Sequence, residues 1–133
     1  MTKEYAVSIR AAKVKTSEAG VLRGCLELLA AERIWSMRIN TGAIKFGGRF
    51  VRFSRAGAAD ILCTPWLGYG LLSERVMRPA WIETKSDTGK QSPAQKEFQA
   101  EVEKCGHLYL LVRSSDELKD WLIRHGAMRG EMK

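Results

Sequence analysis

The chain has 133 residues, a length that predicts one domain with a single buried core. Its hydrophobic fraction of 45% and charged fraction of 28% are typical of a soluble globular protein. Its formal net charge of +7 favours an anionic partner, with nucleic acid ahead of a membrane surface, although a charge that serves only solubility is the alternative.

The first half of the chain predicts a helix followed by short strands. Residues 1–15 are basic and weakly patterned, which indicates an N-terminal arm or an irregular segment. Thr16 or Ser17 can cap a helix that extends to about Arg33, because apolar residues recur there at helical spacing. The next elements are a short strand in IWSMRIN, a β-hairpin in AIKFGGRFVRFS with its tight turn at Gly47-Gly48, and a strand over 58–63.

The second half predicts alternating strands and helices. Segment 64–79, TPWLGYGLLSERVMRP, is expected to be a long connection that could include a short strand or a helical turn. AWIETK is the next strand, and Ser92-Pro93-Ala94-Gln95 favours a helix start with a capping box. A strand in HLYLLV and a last helix from Ser114 complete the domain. The expected fold class is α/β, a single domain over 16–126 with a central mixed β-sheet flanked by helices, followed by a tail over 127–133.

The cysteines and histidines argue against two kinds of site. Cys25, Cys63 and Cys105 are odd in number, far apart and never in a Cys-x-x-Cys pair, and the only histidines are His107 and His125. A structural zinc site and a disulfide framework are therefore not expected, and the apolar context predicts three buried free thiols and two structural histidines. No apolar run reaches the length of a membrane span and the N-terminus lacks a signal-peptide core, so we expect a cytoplasmic protein with no membrane partner.

A basic stretch lies in the first half of the chain. From Arg33 to Ala59 there is no Asp or Glu, and the basic residues are interleaved with phenylalanines. Such a sheet surface suits the phosphate backbone of nucleic acid. Each charge taken singly is more often a solvated surface residue, so these residues are predicted to bind DNA as a set. The set comprises Arg38, Lys45, Arg49, Arg52 and Arg55, together with Lys90 further along the chain.

Carboxylates and a lysine on neighbouring strands could carry chemistry. Residues two apart on a strand share a face, so Glu83 and Lys85 point the same way, and a surface salt bridge is the simplest interpretation. If the strand with Asp60 pairs with theirs, Asp60 and Glu83 converge, and two carboxylates repel each other unless a cation joins them. A small number of oxygen ligands is typical of Mg²⁺ sites, and a nearby lysine can orient or help deprotonate a water. The pattern Asp…Glu-x-Lys therefore indicates phosphodiester hydrolysis.

Two segments resemble a known family. NTGAIKFGGRFVRFSRAGAADILC and WIETKSDTGKQSPAQKEFQAEVEKCGHLYLLVRSSDEL resemble the VRR-NUC domains, the virus-type replication-repair nucleases of the PD-(D/E)xK superfamily. The resemblance spans about residues 17–122, and its most specific parts are Asn-Thr-Gly, Gly-x-x-Asp-Ile, and Glu-x-Lys followed by Gly-x-x-Ser-x-x-Gln. It implies a restriction-endonuclease-like core. Ala59 departs from the proline of the superfamily's name, and the segment 64–78 is longer than the link expected between these strands.

The resemblance also implies roles for single residues. Lys85 would be the catalytic lysine, acting with Asp60 and Glu83, and Gln95 would lie beside the site on the following helix. The residues themselves leave alternatives open, because Glu18 can complement the helix dipole and Gln95 can serve only a capping box. The implied metal ligands are Asp60, Glu83, the backbone carbonyl of Thr84, and Glu18.

The function implied by the resemblance is that of a Mg²⁺- or Mn²⁺-dependent DNA endonuclease. Stand-alone proteins of this kind resemble bacterial or phage-encoded Holliday-junction resolvases, so we expect a four-way or otherwise branched DNA substrate and a homodimer. The apolar stretch PWLGYGLL is a candidate dimer or junction-facing surface. The alternatives are a non-catalytic nucleic-acid-binding module that kept the fold, and a restriction-type endonuclease.

Overall fold

The computed structural model describes residues 17–39, 43–52, 55–69 and 74–128. The predicted arm over 1–15 lies outside these residues. The helices are α1 (Glu18–Ala31), α2 (Pro93–Lys104) and α3 (Ser115–Arg124). The strands are β1 (Ser36–Arg38), β2 (Ala43–Phe46), β3 (Arg49–Arg52), β4 (Ile61–Cys63), β5 (Trp66–Tyr69), β6 (Arg75–Met77), β7 (Ala80–Thr84) and β8 (Leu108–Val112).

Four strands form the main sheet in the order β1-β4-β7-β8. The β1–β4 and β4–β7 pairs are antiparallel, whereas β7 and β8 are parallel. A parallel pair needs a crossover connection, and α2 supplies it between β7 and β8. The described part of the chain is thus a single small α/β domain with a mixed sheet and three helices, which confirms the predicted class.

The helices begin at the residues that the sequence indicates. The Ser17 side chain accepts a hydrogen bond from the Gly20 amide and caps α1. Ser92 and Gln95 form a complete capping box at the start of α2, with Pro93 in the first turn. The Ser114 side chain caps α3 by accepting from the Glu117 amide. None of the described helices has the length and apolar character needed to cross a membrane.

The helices pack on both faces of the main sheet. Successive strand residues point to opposite faces, and β7 shows this directly. Ile82 is fully buried in a core that also contains Leu29 of α1 and Leu122 of α3. The neighbouring Trp81 packs instead with Phe98 of α2, ring edge against ring face, at 5.0 Å between centroids. The sheet therefore separates α1 and α3 from α2.

Two predicted elements differ from the structure. The strand expected over 58–63 starts only at Ile61, because residues 55–58 form a turn closed by the Ala58 amide on the Arg55 carbonyl. Segment 64–79 is a second hairpin rather than a long connection, with β5 and β6 paired antiparallel around a bulge. Within PWLGYGLL, Pro65 is fully buried, whereas Trp66 is 48% exposed.

The cysteine prediction is wrong at one position. Cys25 and Cys63 are buried free thiols, but Cys105 is exposed. Cys105 follows the last residue of α2 as its C-cap, so it lies beyond the face that Phe98 and Val102 bury. At the other end of the domain the packed region extends to Met128, which is 8% exposed.

The histidines have structural partners. His107 accepts a hydrogen bond from the Trp81 indole N–H at its Nδ1, at 3.0 Å. His125 stacks on Trp121 with 4.1 Å between ring centroids. Both rings therefore contribute packing and hydrogen bonding to the fold.

Candidate active site

The side chain of Asp60 is hydrogen-bonded to Thr84, the last residue of β7. Its Oδ2 accepts two hydrogen bonds from Thr84, one from the backbone amide and one from the hydroxyl, both at 2.8 Å. Asp60 comes directly before β4, and Ile61 pairs with Ile82 across the antiparallel ladder. The register thus places Asp60 opposite Glu83, as the pairing hypothesis required.

Glu83 is a carboxylate inside the protein, only 1% exposed. Its Oε2 accepts a hydrogen bond from Gln95 Nε2 at 3.0 Å and lies 3.3 Å from Lys85 Nζ. Its Oε1 is buried and has no hydrogen-bond partner among the described residues. A buried carboxylate oxygen without a partner is costly, because the protein does not replace the water that it lost.

Lys85 links three elements of the site. Its amide donates to the Val112 carbonyl of β8 at 3.0 Å, which continues the parallel pairing past the end of β7. Its ammonium lies between Glu83 and Glu18, at 3.3 Å and 3.8 Å. Glu18 is in the first turn of α1, so this helix delivers a carboxylate to the same end of the sheet. One cation is thus flanked by two carboxylates.

The electrostatics of Glu83 follow from its burial. Burial, and after it the negative charge of Asp60, raise the pKa of Glu83 to about 7, while Lys85 acts in the opposite direction. The carboxyl group is therefore poised to change charge near neutral pH. A bound cation would favour its ionised form.

Gln95 combines the two roles that the sequence presented as alternatives. Its Oε1 accepts from the Ser92 amide at 2.8 Å and completes the capping box of α2. Its Nε2 donates to Glu83, so the same carboxamide group also orients a site carboxylate. The start of α2 and the end of β7 are joined through this one side chain.

The donor set fits a hard divalent cation that keeps part of its water shell. Glu83 offers an unpartnered oxygen, and Asp60 lies beside the end of the same strand. The Thr84 amide points to Asp60, and in an extended strand the carbonyl of the same residue points to that side as well. Within the described ranges there is no group of three His, Cys, Asp or Glu side chains that could hold a metal. Two carboxylates and a carbonyl are the kind of sparse set that Mg²⁺ accepts.

Glu18 is placed differently from the other implied ligands. Its side chain is 55% exposed, and it contacts Lys85. We therefore interpret Glu18 as a restraint on the lysine. A ligand role remains a prediction of the resemblance.

The residues of the predicted DNA-binding set differ in their exposure and in their ion pairing. Arg38, Lys45, Arg49 and Lys90 are exposed, with Lys45 and Arg49 on the β2–β3 hairpin. Arg55 instead forms a bidentate ion pair with Glu101 at 2.6 Å for both contacts, so its charge is already balanced within the fold. The Arg52 side chain lies outside the described atoms.

Sequence reasoning missed two features of the site. The Thr84 hydroxyl holds Asp60, but a threonine in a strand gives no signal for that contact. Gly57 has a φ of +78°, and a Cβ there would lie 2.2 Å from the Ala94 carbonyl oxygen at the start of α2. A glycine four residues before an apolar strand indicates a turn, but it does not reveal which element the turn touches.

Comparisons of the chain with protein-family models, with curated proteins and with solved structures give no match.

Proposed function

We propose that this protein is a metal-dependent DNA endonuclease of the VRR-NUC kind, built on a restriction-endonuclease-like core. The observation that carries the proposal is the cluster at the end of β7, in which the half-buried Asp60 lies beside the buried Glu83 and Lys85, with one Glu83 oxygen left without a partner among the described residues. A divalent cation would offset the repulsion between these two acids, and phosphodiester hydrolysis is a reaction in which such a cation and a nearby lysine act together.

Each residue then has a defined task. Asp60, Glu83 and the Thr84 carbonyl would hold Mg²⁺ or Mn²⁺, which when bound polarises the scissile phosphate and acidifies a water. Lys85 would steady the attacking water or the negative charge that develops on the phosphate. Gln95 would keep Glu83 in one orientation by its 3.0 Å hydrogen bond, and Glu18 would keep the lysine from leaving the site.

The surface suits a DNA backbone. The net charge of +7 and the exposed basic residues of the β2–β3 hairpin would attract phosphates with little reading of bases. We propose a branched substrate, with a four-way junction first, because symmetric cutting of such a junction by two copies of one chain matches the homodimer that the resemblance implies.

A second copy would dock on an apolar patch around β1, which is an end strand of the main sheet. Its side chains are large and between 45% and 57% exposed. Trp, Met and Arg are the residues enriched in protein interfaces, and Arg75 lies over the Trp66 ring at 5.8 Å. The apolar patch comprises Trp35, Met37, Trp66 and Met77.

The test is cleavage of four-way-junction, flap and duplex DNA with Mg²⁺, with Mn²⁺ and with EDTA. Asp60→Ala and Lys85→Ala should abolish cutting while leaving DNA binding in place, and Arg124→Ala is the control that removes an exposed charge on α3. Cleavage that persists in EDTA, or that neither site substitution changes, would overturn the mechanism.

The second candidate is a nucleic-acid-binding module without catalysis. It is favoured by the contacts of Glu83, since Lys85 and Gln95 already stabilise this carboxylate in the absence of a metal. This module would bind DNA in a salt-dependent manner and cut nothing with any metal. A restriction-type enzyme would share the site, and it would show cutting confined to one sequence in the duplex.

A further inference from the structure

Arg113 makes an unusual set of contacts beside the candidate site. It comes directly after β8, next to Val112, whose carbonyl receives the Lys85 amide. One nitrogen of its guanidinium, Nη1, donates to three backbone carbonyls of the segment that follows Lys85. These carbonyls belong to Ser86 at 2.6 Å, Gly89 at 2.8 Å and Asp87 at 3.3 Å.

The loop formed by residues 86–90 is folded around this guanidinium. The Gly89 amide turns back to Ser86, with contacts of 3.3 Å to its carbonyl and 3.2 Å to its hydroxyl. Carbonyl dipoles that converge on one point repel each other unless a positive group lies among them. The arginine charge therefore stabilises this loop conformation, and a neutral side chain would not.

The same loop packs against the stem of Lys85. A Cβ added at Gly89 would lie 3.4 Å from Lys85 Cδ, so the loop backbone is in direct reach of the lysine chain. Lys85 is only 8% exposed, although it follows the last residue of β7. Its cover on this side comes from the loop that Arg113 holds.

We propose that Arg113 is a positioning residue for Lys85. By holding the 86–90 loop closed over the lysine stem, it aligns the ammonium between Glu83 and Glu18. A second contact fixes the residue itself, since the Arg113 amide donates to Glu117 of α3 at 3.1 Å. Only the expected effect on the cleavage rate rests on the proposed nuclease function. The control of the loop by Arg113 stands on the contacts alone.

The effect on cleavage is measured as the single-turnover rate of Arg113→Ala on the DNA substrate that the wild type cuts. Misplacing a catalytic group by about 1 Å costs on the order of 100-fold, so we expect the rate to fall about 10- to 100-fold while DNA affinity stays within about 3-fold. Guanidinium chloride at millimolar concentration should restore part of the rate, against sodium chloride at equal ionic strength. Arg124→Ala is the matched control, because within the described residues the guanidinium of Arg124 donates its hydrogen bond to the Asp120 carbonyl of its own helix, at 3.4 Å.

The loop itself is followed by hydrogen exchange, which needs no activity. Amides of residues 86–90 should exchange faster in Arg113→Ala than in the wild type, and added guanidinium should slow them again. Arg113→Lys should retain part of the protection of this loop, because its ammonium supplies a positive charge and three N–H donors, and the three carbonyls are contacted by the single Nη1 nitrogen of the arginine. Unchanged exchange in this loop, or a rate loss that guanidinium does not relieve in a normally folded variant, would overturn the proposal. If the wild type cuts no DNA, the nuclease proposal fails while the exchange result still decides the role of Arg113 in the loop.

Discussion

Gly57→Ala should move the turn over 55–58, which precedes Asp60, away from the start of α2, which carries Gln95. The turn over 55–58 approaches the start of α2 so closely that an added Cβ would lie 2.2 Å from the Ala94 carbonyl oxygen and 2.8 Å from the Gln95 amide. Both are backbone atoms and cannot rotate away. Since ordinary contact begins near 3.4 Å, the turn and the helix must separate by about 1 Å, which is enough to break the 3.0 Å bond from Gln95 to Glu83.

The expected cost has two parts. Alanine at a φ of +78° costs about 1 kcal/mol for its left-handed backbone, and crowding against fixed atoms adds about 1–3 kcal/mol. Gly106→Ala is the matched control, because Gly106 has a φ of +88° and no heavy atom within 4 Å of the added Cβ. It should therefore cost only the backbone part.

The measurement is the free energy of unfolding from urea titrations of both variants and the wild type. Gly57→Ala should lie about 2–4 kcal/mol below the wild type and clearly below Gly106→Ala. The cleavage rate of folded Gly57→Ala should also fall. Equal destabilisation of the two variants would show that the turn does not press on α2, and the link between turn and site would then be wrong.

Further predictions concern charge and assembly. The pKa of Glu83 is raised from its ordinary value of 4.5 to about 7, so the folded protein binds the proton of this carboxyl more tightly than the unfolded chain does. In EDTA, the contribution of this proton to the free energy of unfolding should therefore be complete below pH 4.5 and lost as pH rises to about 7. Glu83→Gln should flatten this pH dependence in urea titrations. In salt titrations of DNA binding, Arg49→Ala should lower the log–log slope by about 0.9, whereas Arg55→Ala should change it less because Glu101 already balances Arg55. Trp66→Glu should convert a dimer to a monomer in light scattering and leave the helix content unchanged.

Each of these has a contradicting result. A stability that rises between pH 4.5 and 7 in EDTA, and does so equally in Glu83→Gln, would show that this carboxyl is not the group that titrates. Equal salt slopes for the two arginine variants would show that the ion pair opens on DNA. A wild-type protein that is monomeric at all concentrations would remove the apolar patch as a dimer surface.

The sequence predicted the helices well because their signals are local. Ser92 and Gln95 are three residues apart and fix the start of α2 within one turn, whatever else the chain does. The two-residue hairpin turn at Gly47-Gly48 is equally local, and both glycines have positive φ, at 57° and 81°. Signals of this kind need no knowledge of the rest of the fold.

Other features were hard to predict because they depend on distant partners. In 64–79 the burial does not alternate, since Pro65 is buried against the core while Trp66, Val76 and Met77 are exposed, so no strand period is visible. The convergence of Asp60 and Glu83 was predictable only on the assumption that their strands pair. The contacts of Thr84 with Asp60 and of Arg113 with the 86–90 loop leave no trace in spacing.

Of the three thiols, two are buried and one is exposed, so the protein has a natural site for labelling with a reporter group. Burial raises the pKa of Cys25 to about 11 and that of Cys63 to about 12, so neither forms an appreciable amount of reactive thiolate at neutral pH. Cys105 is exposed at the far end of α2, which at about 1.5 Å per residue places it about 18 Å from the helix start beside Gln95. A maleimide dye or spin label should react there alone. Binding of DNA could thus be followed in the unmutated chain, with the label well removed from the carboxylates.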